Sequence, residues 1–312
     1  MPRLPQMWTK DHTAVDFVSG YDDPSRLRTD ERHPVLMKTF SIPITKYPQP
    51  AAPNVYHTPL NDRNGMCHSM LVQKYSPWSA RRVKFNPPTH RYVLRRHIDT
   101  ADEGFLGTVA VLVPRVLIPH RRHTISDGGV LLTTVHATAT EKTPIMLTQH
   151  IYWSAEPHGF EYGSDDILGH ELYIRGGAHH THPGGRDQAG THFDYREARW
   201  IGAALEADPH NACIYSDGSG GGHTALWSLL SGLRLDITTD QPAVQVYTAS
   251  LNMPRKGVHG GSGKECGERS TVAIEQEGWL DAISTPEWGV DQIYDRGREF
   301  RWNTKYRFSG MS

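Results

Sequence analysis

In several segments from residue 107 onward, apolar residues either alternate with polar ones or form runs of β-branched residues. GTVAVLVPRVLI (residues 107–118) and GGVLLTTVHATAT (residues 128–140) are rich in Val, Ile and Thr, which favour pleated strands. PAVQVYTASL, STVAIEQ and TKYRFS follow the same pattern, with Gly- and Pro-containing turns between them. No long segment carries the 3.6-residue apolar period of an amphipathic helix. The pattern predicts an all-β fold, a sandwich or a barrel.

Three stretches depart from this pattern. GHTALWSLLSGL (residues 222–233) is the best candidate for a helix, with a strand as the alternative. DGSGGGH (residues 217–223) lacks the GxxxxGK[ST] spacing of a phosphate loop, and we predict a flexible hairpin connection. Residues 1–75 are proline-rich and weakly alternating, so we expect an irregular N-terminal part within a single domain spanning residues 1–312.

Composition excludes several classes of function. No window holds 18 consecutive apolar residues, and the start MPRLPQMWTKDH has no apolar signal core. We therefore expect a cytosolic protein without a membrane partner. The formal net charge of −1 argues against a nucleic-acid partner, which needs a basic surface.

Cysteine and histidine usage does not indicate a metal centre. The three cysteines are far apart and form no CxxC pair, so free thiols are expected. His179, His180 and His182 form an HHxH group in a glycine-rich loop, but no carboxylate or cysteine is placed beside them. We predict no metal at this loop.

One histidine stands at the end of a strand-like run. In TPIMLTQHIYW (residues 143–153) the polar pair Gln149–His150 follows apolar residues and precedes Tyr152 and Trp153. A strand end lies at the mouth of a sheet, where ligand pockets form. The alternative is a histidine that hydrogen-bonds a backbone carbonyl at a strand edge.

Two carboxylates end a second apolar run. Glu275 comes directly after Val-Ala-Ile, and Glu277 falls on the same side of the strand by its period of two. Burying a lone carboxylate is costly, so its presence there suggests a role. The alternative is a strand that simply runs out into solvent.

Together these motifs resemble the aldose 1-epimerases, or mutarotases. The resemblance is collinear from about residue 16 to 309 and is strongest from residue 102 onward. The motifs that carry it are DEGFLGTVAV, ATATEKTPIMLTQHIYW, GHELYIRG, GTHFDYRE, AVQVYTASL, AIEQEGWLDAI and REFRWNTKYRFS. The resemblance implies a large antiparallel β-sandwich of the galactose-mutarotase type, with a monosaccharide or another hemiacetal bound in an open cleft.

The resemblance also implies a mechanism. The glutamate of the late motif corresponds to Glu275, the base that takes the proton of the anomeric hydroxyl. The histidine corresponds to His150, the acid that protonates the ring oxygen. Each contributes about 10²–10⁴-fold, and neither a metal nor an organic cofactor is required. Their opposite charges should lower the pKa of the glutamate and raise the pKa of the histidine.

A sugar-binding shell follows from the same resemblance. Gln149 stands at the family's asparagine before the histidine, and Gln245 is expected to bond a sugar hydroxyl. Tyr152 and Trp153 are expected to form an apolar wall for the sugar face. His210 matches its family counterpart.

Other positions of that shell are altered. Lys46 replaces the first family arginine and Pro50 the second, and a lysine cannot reproduce the planar guanidinium fork. Met70 stands where the family has a histidine, with His68 two residues earlier as a substitute. Pro209 replaces an aspartate, with Asp208 one residue away. The chain is also expected to lack the family's first strands.

Three hypotheses follow. The first is a hexose mutarotase, favoured if His68 and Asp208 converge with Glu275. The second is an isomerase of the same fold that acts on a lactol or a secondary-metabolite intermediate, favoured by an apolar pocket at Met70 and Pro50. The third is a non-catalytic carbohydrate-binding protein, favoured if Glu275 turns away from His150.

Overall fold

The computed structural model describes most of the chain from residue 129 onward and shorter parts before it. The described residues are 7–8, 14–15, 18, 50–51, 54–55, 79–84, 91–100, 107–118, 129–155, 166–176, 178–180, 189–207, 213–217, 222–249, 253–254, 265–279, 282–284 and 286–311.

Strands make up nearly all regular structure in these ranges. In chain order they are β1 Met7–Trp8, β2 Ala14–Val15, β3 Pro50–Ala51, β4 Asn54–Val55, β5 Ser79–Lys84, β6 Arg91–Thr100, β7 Thr108–Ile118, β8 Gly129–Ala139, β9 Thr143–Pro144, β10 Tyr152–Trp153 and β11 Glu171–Ile174. They continue as β12 Ala178–His180, β13 Arg199–Trp200, β14 Cys213–Asp217, β15 His223–Ser228, β16 Leu233–Thr239, β17 Ala243–Thr248, β18 Met253–Pro254, β19 Glu265–Cys266, β20 Val272–Glu277, β21 Ile293–Tyr294 and β22 Phe300–Gly310. The helices are α1 Ile201–Ala207 and the short 3₁₀ turns Ala282–Ser284 and Pro286–Trp288.

Two antiparallel sheets form the body of the fold. The larger has nine strands in the order β13-β11-β15-β16-β22-β8-β7-β6-β5, and the smaller has five in the order β10-β20-β17-β14-β12. Both runs predicted most clearly from the sequence, residues 107–118 and 128–140, are strands of the larger sheet. The prediction of an all-β antiparallel sandwich is confirmed.

The apolar core lies between the two sheets. In β22 every second side chain from Phe300 to Phe308 is buried, and the residues between them face outward. Trp302 and Tyr306 pack in one cluster with Val272 and Ile274 of the smaller sheet. The strand β20 differs from β22, because all six of its residues are buried. Both faces of β20 are therefore covered, so polar side chains on this strand are shielded from water.

The helix prediction for residues 222–233 is wrong, and the strand alternative is right. His223–Ser228 pairs with Leu233–Thr239 as a hairpin in the larger sheet. The Ser228 hydroxyl accepts hydrogen bonds from the backbone N–H groups of Leu230 and Ser231, and Gly232 adopts a positive φ of 69°. The side chains of Leu229 and Leu230 are exposed at this turn, so the apolar spacing did not mark a buried helix face.

The hairpin predicted for residues 217–223 is also wrong. Residues 217–223 connect β14, a strand of the smaller sheet, to β15, a strand of the larger sheet, so they do not form a hairpin. Residues 218–221 are outside the described ranges.

The N-terminal part contributes short pairings within the described residues. Met7–Trp8 pairs with Ala14–Val15, and Pro50–Ala51 pairs with Asn54–Val55. Val18 forms an isolated bridge to Trp153 of β10. No helix in the described ranges is both long enough and apolar enough to cross a membrane.

Candidate active site

Glu275 lies on β20, an internal strand of the smaller sheet next to its edge strand β10. Its strand, β20, is flanked by β10 on one side and β17 on the other, and Glu275 is the direct partner of Gln245 across the β17–β20 ladder. The side chain of Glu275 is 0% exposed. The alternative in which this strand runs out into solvent is therefore wrong.

His150 is brought to Glu275 by the segment that precedes β10. The register Tyr152↔Ala273 directs this segment along β20 toward Glu275. The hydroxyl of Thr148 donates to the carbonyl oxygen of Gln276 at 2.8 Å and ties the segment to the strand. Between these two anchors, the N–H of Ile151 donates to the carbonyl of Gln149 at 3.1 Å. This three-residue turn has His150 at its centre.

The two catalytic candidates lie in contact. The Nε2 atom of His150 is 3.2 Å from Oε1 of Glu275, and both side chains are buried. The amide Nε2 of Gln245 lies 3.4 Å from the same oxygen. The arrangement places one proton acceptor and one proton donor in a dry site, where hydrogen bonds are stronger than in water. It can exchange protons with two neighbouring oxygens of a bound molecule.

A second carboxyl group lies beside this pair. Glu277 is fully buried and, by strand alternation, faces the same side as Glu275. Neither of its carboxyl oxygens has a hydrogen-bond partner within the described part of the chain. Burial, with the nearby charge of Glu275 adding to it, raises the pKa of Glu277 well above its usual range. The sequence indicated the shared face but not the burial.

Tyr152 and Trp153 point to opposite sides of β10. Tyr152 contacts the His150 ring at 4.9 Å between centroids and meets the Tyr247 ring edge-on at 6.4 Å. Trp153 instead packs in the core between the sheets, with ring centroids 5.4 Å from Tyr306 and 5.9 Å from Phe308. The expectation that Trp153 joins Tyr152 in a wall for the sugar is wrong, because consecutive strand residues face opposite ways.

Gln149 lies on the core side of the segment. Its Oε1 atom accepts a 2.7 Å hydrogen bond from the hydroxyl of Tyr306, and its side chain is fully buried. The same hydroxyl lies 3.3 Å from Oε1 of Gln276. The structure therefore brings His150, Tyr152, Gln245 and Glu275 together and places the Gln149 amide in the sandwich interior.

Four of the predicted site residues fall outside the described ranges. They are Lys46, His68, Asp208 and His210. Of the HHxH group, the backbone of Ala178–His180 pairs with β14, and His182 is outside the described ranges. Among the residues that are described, no three metal-binding side chains come together.

Comparison with known proteins identifies the family to which the chain is similar. The family model for aldose 1-epimerase matches residues 10–307. Galactose mutarotase from Rattus norvegicus is 29% identical over 220 residues, which cover 67% of this chain and 60% of that protein. Aldose 1-epimerase from Escherichia coli K12 is 26% identical over 232 residues, covering 67% of this chain and 61% of that protein. The chain thus spans about three fifths of the length of these curated relatives.

Solved structures show the same fold. An aldose epimerase homologue from C. elegans superposes with a TM-score of 0.75 at 19% identity, covering 98% of this chain and 92% of the other. A galactose 1-epimerase from Lactobacillus acidophilus superposes with a TM-score of 0.69 at 14% identity, covering 98% and 89%. With a family match over nearly its whole length and a buried His–Glu pair in the matching motifs, this chain belongs to the aldose 1-epimerase family.

Proposed function

We propose that the chain is a mutarotase that interconverts the α and β anomers of a hexose by acid–base ring opening. The 3.2 Å contact between His150 Nε2 and Glu275 Oε1 supports this proposal most directly. The family match and the names of the relatives, galactose mutarotase and aldose 1-epimerase, support a sugar as the substrate.

The proton movements balance within this pair. Glu275 removes the proton of the anomeric hydroxyl while the bond from C1 to the ring oxygen breaks, and C1 becomes an aldehyde carbon. Protonated His150 delivers its proton to the ring oxygen. Rotation about C1–C2 and the reverse transfers close the ring as the other anomer. Both reacting oxygens are bonded to C1, so an acid and a base that lie close together can serve both.

The surroundings fit these roles. Gln245 donates toward the oxygen of Glu275 that also faces His150, which holds the carboxylate in one orientation. Tyr152 packs against the imidazole ring of His150 and limits its rotation. A carbohydrate-binding protein without catalysis does not need an acid and a base in contact in a dry site, so the geometry favours an enzyme.

Polarimetry of freshly dissolved α-D-galactose and α-D-glucose tests the proposal. The wild type should accelerate the change in optical rotation, and Glu275→Gln or His150→Gln should slow it by about 10²–10⁴-fold. Glu299→Gln is the matched control. It removes a carboxylate that also lies 3.2 Å from a histidine, His136. This pair is part-exposed and separate in the chain from the candidate site, with His136 on β8 and Glu299 just before β22.

Two results would contradict this proposal, the first its sugar substrate and the second its assignment of the base. One is a folded wild type that does not accelerate either sugar, which would direct the search to lactols and other hemiacetals. The other is acceleration that persists unchanged in Glu275→Gln, which would place the base elsewhere.

A further inference from the structure

Glu277 is a buried acidic group that the proposed mechanism does not use. Ring opening needs one base and one acid, and Glu275 and His150 already supply them. Glu277 is nevertheless fully enclosed, with both carboxyl oxygens lacking a hydrogen-bond partner among the described residues. A buried polar group without a partner is uncommon in proteins and suggests that a ligand completes it.

The position of Glu277 relates it directly to the reacting pair. It stands two residues beyond Glu275 on the same strand, so its Cα is about 6.5 Å away and its side chain leaves the same face. Burial, with the charge of Glu275 adding to it, raises the pKa of Glu277 and favours its neutral form. Two carboxyl groups that leave one face of a strand at successive positions can meet two different oxygens of one sugar ring.

The Glu277 end of the strand is firmly held. A Cβ atom at the next residue, Gly278, would lie 2.9 Å from Nε2 of Gln292 and 3.1 Å from Sδ of Met146. The Gln292 amide donates to the carbonyl of Trp279 at 2.8 Å. Because these contacts fix the backbone on the far side of Glu277, its carboxyl group has a defined place in the site.

We propose that Glu277 is a specificity-determining residue, whose carboxyl group hydrogen-bonds a sugar hydroxyl away from the anomeric centre. This inference rests on the proposed function, since it assumes a polyhydroxylated ring beside Glu275. In its neutral form the group can both donate and accept a hydrogen bond, as a hydroxyl partner requires.

The test measures kcat/KM and binding for D-galactose, D-glucose and their monodeoxy derivatives, each lacking one hydroxyl away from C1. The variants are Glu277→Gln, which keeps a donor and an acceptor, and Glu277→Leu, which keeps the bulk but neither function. Thr133→Val is the matched control, because it also removes a buried oxygen that lacks a hydrogen-bond partner among the described residues, but in the larger sheet. Melting temperatures check that each variant is folded.

One pattern of results is expected. Glu277→Leu should lose about tenfold in kcat/KM on the parent sugar and should lose nothing further on the one derivative that lacks the contacted hydroxyl. Glu277→Gln should retain most of the wild-type value, and Thr133→Val should be unchanged on every sugar. If Glu277→Leu does not fold, the same selective pattern is sought with Glu277→Met.

Other patterns of results would overturn the proposed role of Glu277. An equal loss on all sugars, or a pH profile displaced alike for all of them, would make Glu277 a structural or electrostatic neighbour of Glu275. Selective binding effects without any turnover would reject the proposed mutarotase activity and keep the Glu277 contact. No binding of any sugar would reject both.

Discussion

Gln245 and Glu275 are direct cross-strand partners, and the amide nitrogen of one lies 3.4 Å from Oε1 of the other. That oxygen is also the one that faces His150. The glutamate is therefore approached from the neighbouring strand by a neutral donor and from the preceding segment by an imidazole. Because Gln245 is fixed to the same sheet as Glu275, it can orient the carboxylate without a conformational change.

Replacing Gln245 tests this orienting role. Gln245→Met removes the donor and keeps the bulk, and loss of one hydrogen bond of about 0.5–1.5 kcal/mol predicts a kcat about 2–10-fold lower. The melting temperature should change little. Gln241→Met is the control, because Gln241 is also buried and bonded but contacts Asp240 and the Arg301 carbonyl instead. A kcat that falls equally in both variants would contradict a specific role for Gln245.

The sequence predicted the sheets and the reacting pair for identifiable reasons. Residues 128–140 alternate between apolar and polar side chains, and residues 107–118 are rich in β-branched side chains. Both features reflect a local preference for extended backbone, and both segments are strands in the folded sheet. The period of two placed Glu275 and Glu277 on one face. That Glu275 lies opposite Gln245 and beside His150 depends on register between distant segments, which only the resemblance supplied.

The sequence-based predictions that were wrong concerned features that tertiary packing determines. The apolar residues of GHTALWSLLSGL suit a helix face, yet Leu229 and Leu230 are exposed at a hairpin turn fixed by Ser228 and Gly232. Trp153 looked like a pocket wall because it follows His150 closely, but strand alternation turns it into the core. Burial of Glu277 could not be predicted, since the residues that cover a strand come from elsewhere in the chain.

Thr148 is expected to position His150. Thr148→Val removes the 2.8 Å hydrogen bond to the Gln276 carbonyl, although that carbonyl still accepts from Nε1 of Trp302 at 2.7 Å. We expect a loss of about 1 kcal/mol in the free energy of unfolding and a several-fold lower kcat/KM, because the tether of the segment is gone. Thr148→Ser retains the hydroxyl and should restore both. Polarimetry and urea unfolding measure the two effects, and a Ser variant as impaired as the Val variant would argue against the tether.

The Gln149–Tyr306 hydrogen bond should matter for stability more than for recognition. Tyr306→Phe leaves the buried Oε1 of Gln149 without its 2.7 Å donor. A buried acceptor that loses its partner costs about 1–3 kcal/mol of stability. We expect that loss in denaturant unfolding, with KM for each sugar within about twofold of the wild type, because the amide lies in the core. A large, sugar-dependent rise in KM would instead assign Gln149 to the binding site, as the family resemblance implies.

Glu277 should make stability depend on pH in a direction opposite to that of an ion-paired carboxylate. Burial raises the pKa of Glu277, so the folded protein keeps this proton after the unfolded chain has released it near pH 4.3. Stability is then reduced progressively as the pH rises above that value, by at most about 1.4 kcal/mol for each pH unit from this one proton. Glu277→Gln removes the proton release, so it should match the wild type near pH 4 and become the more stable protein toward neutral pH. Urea unfolding of both proteins across this range measures the difference, and two parallel stability curves would show that Glu277 is ionised in the folded protein as readily as in the unfolded chain.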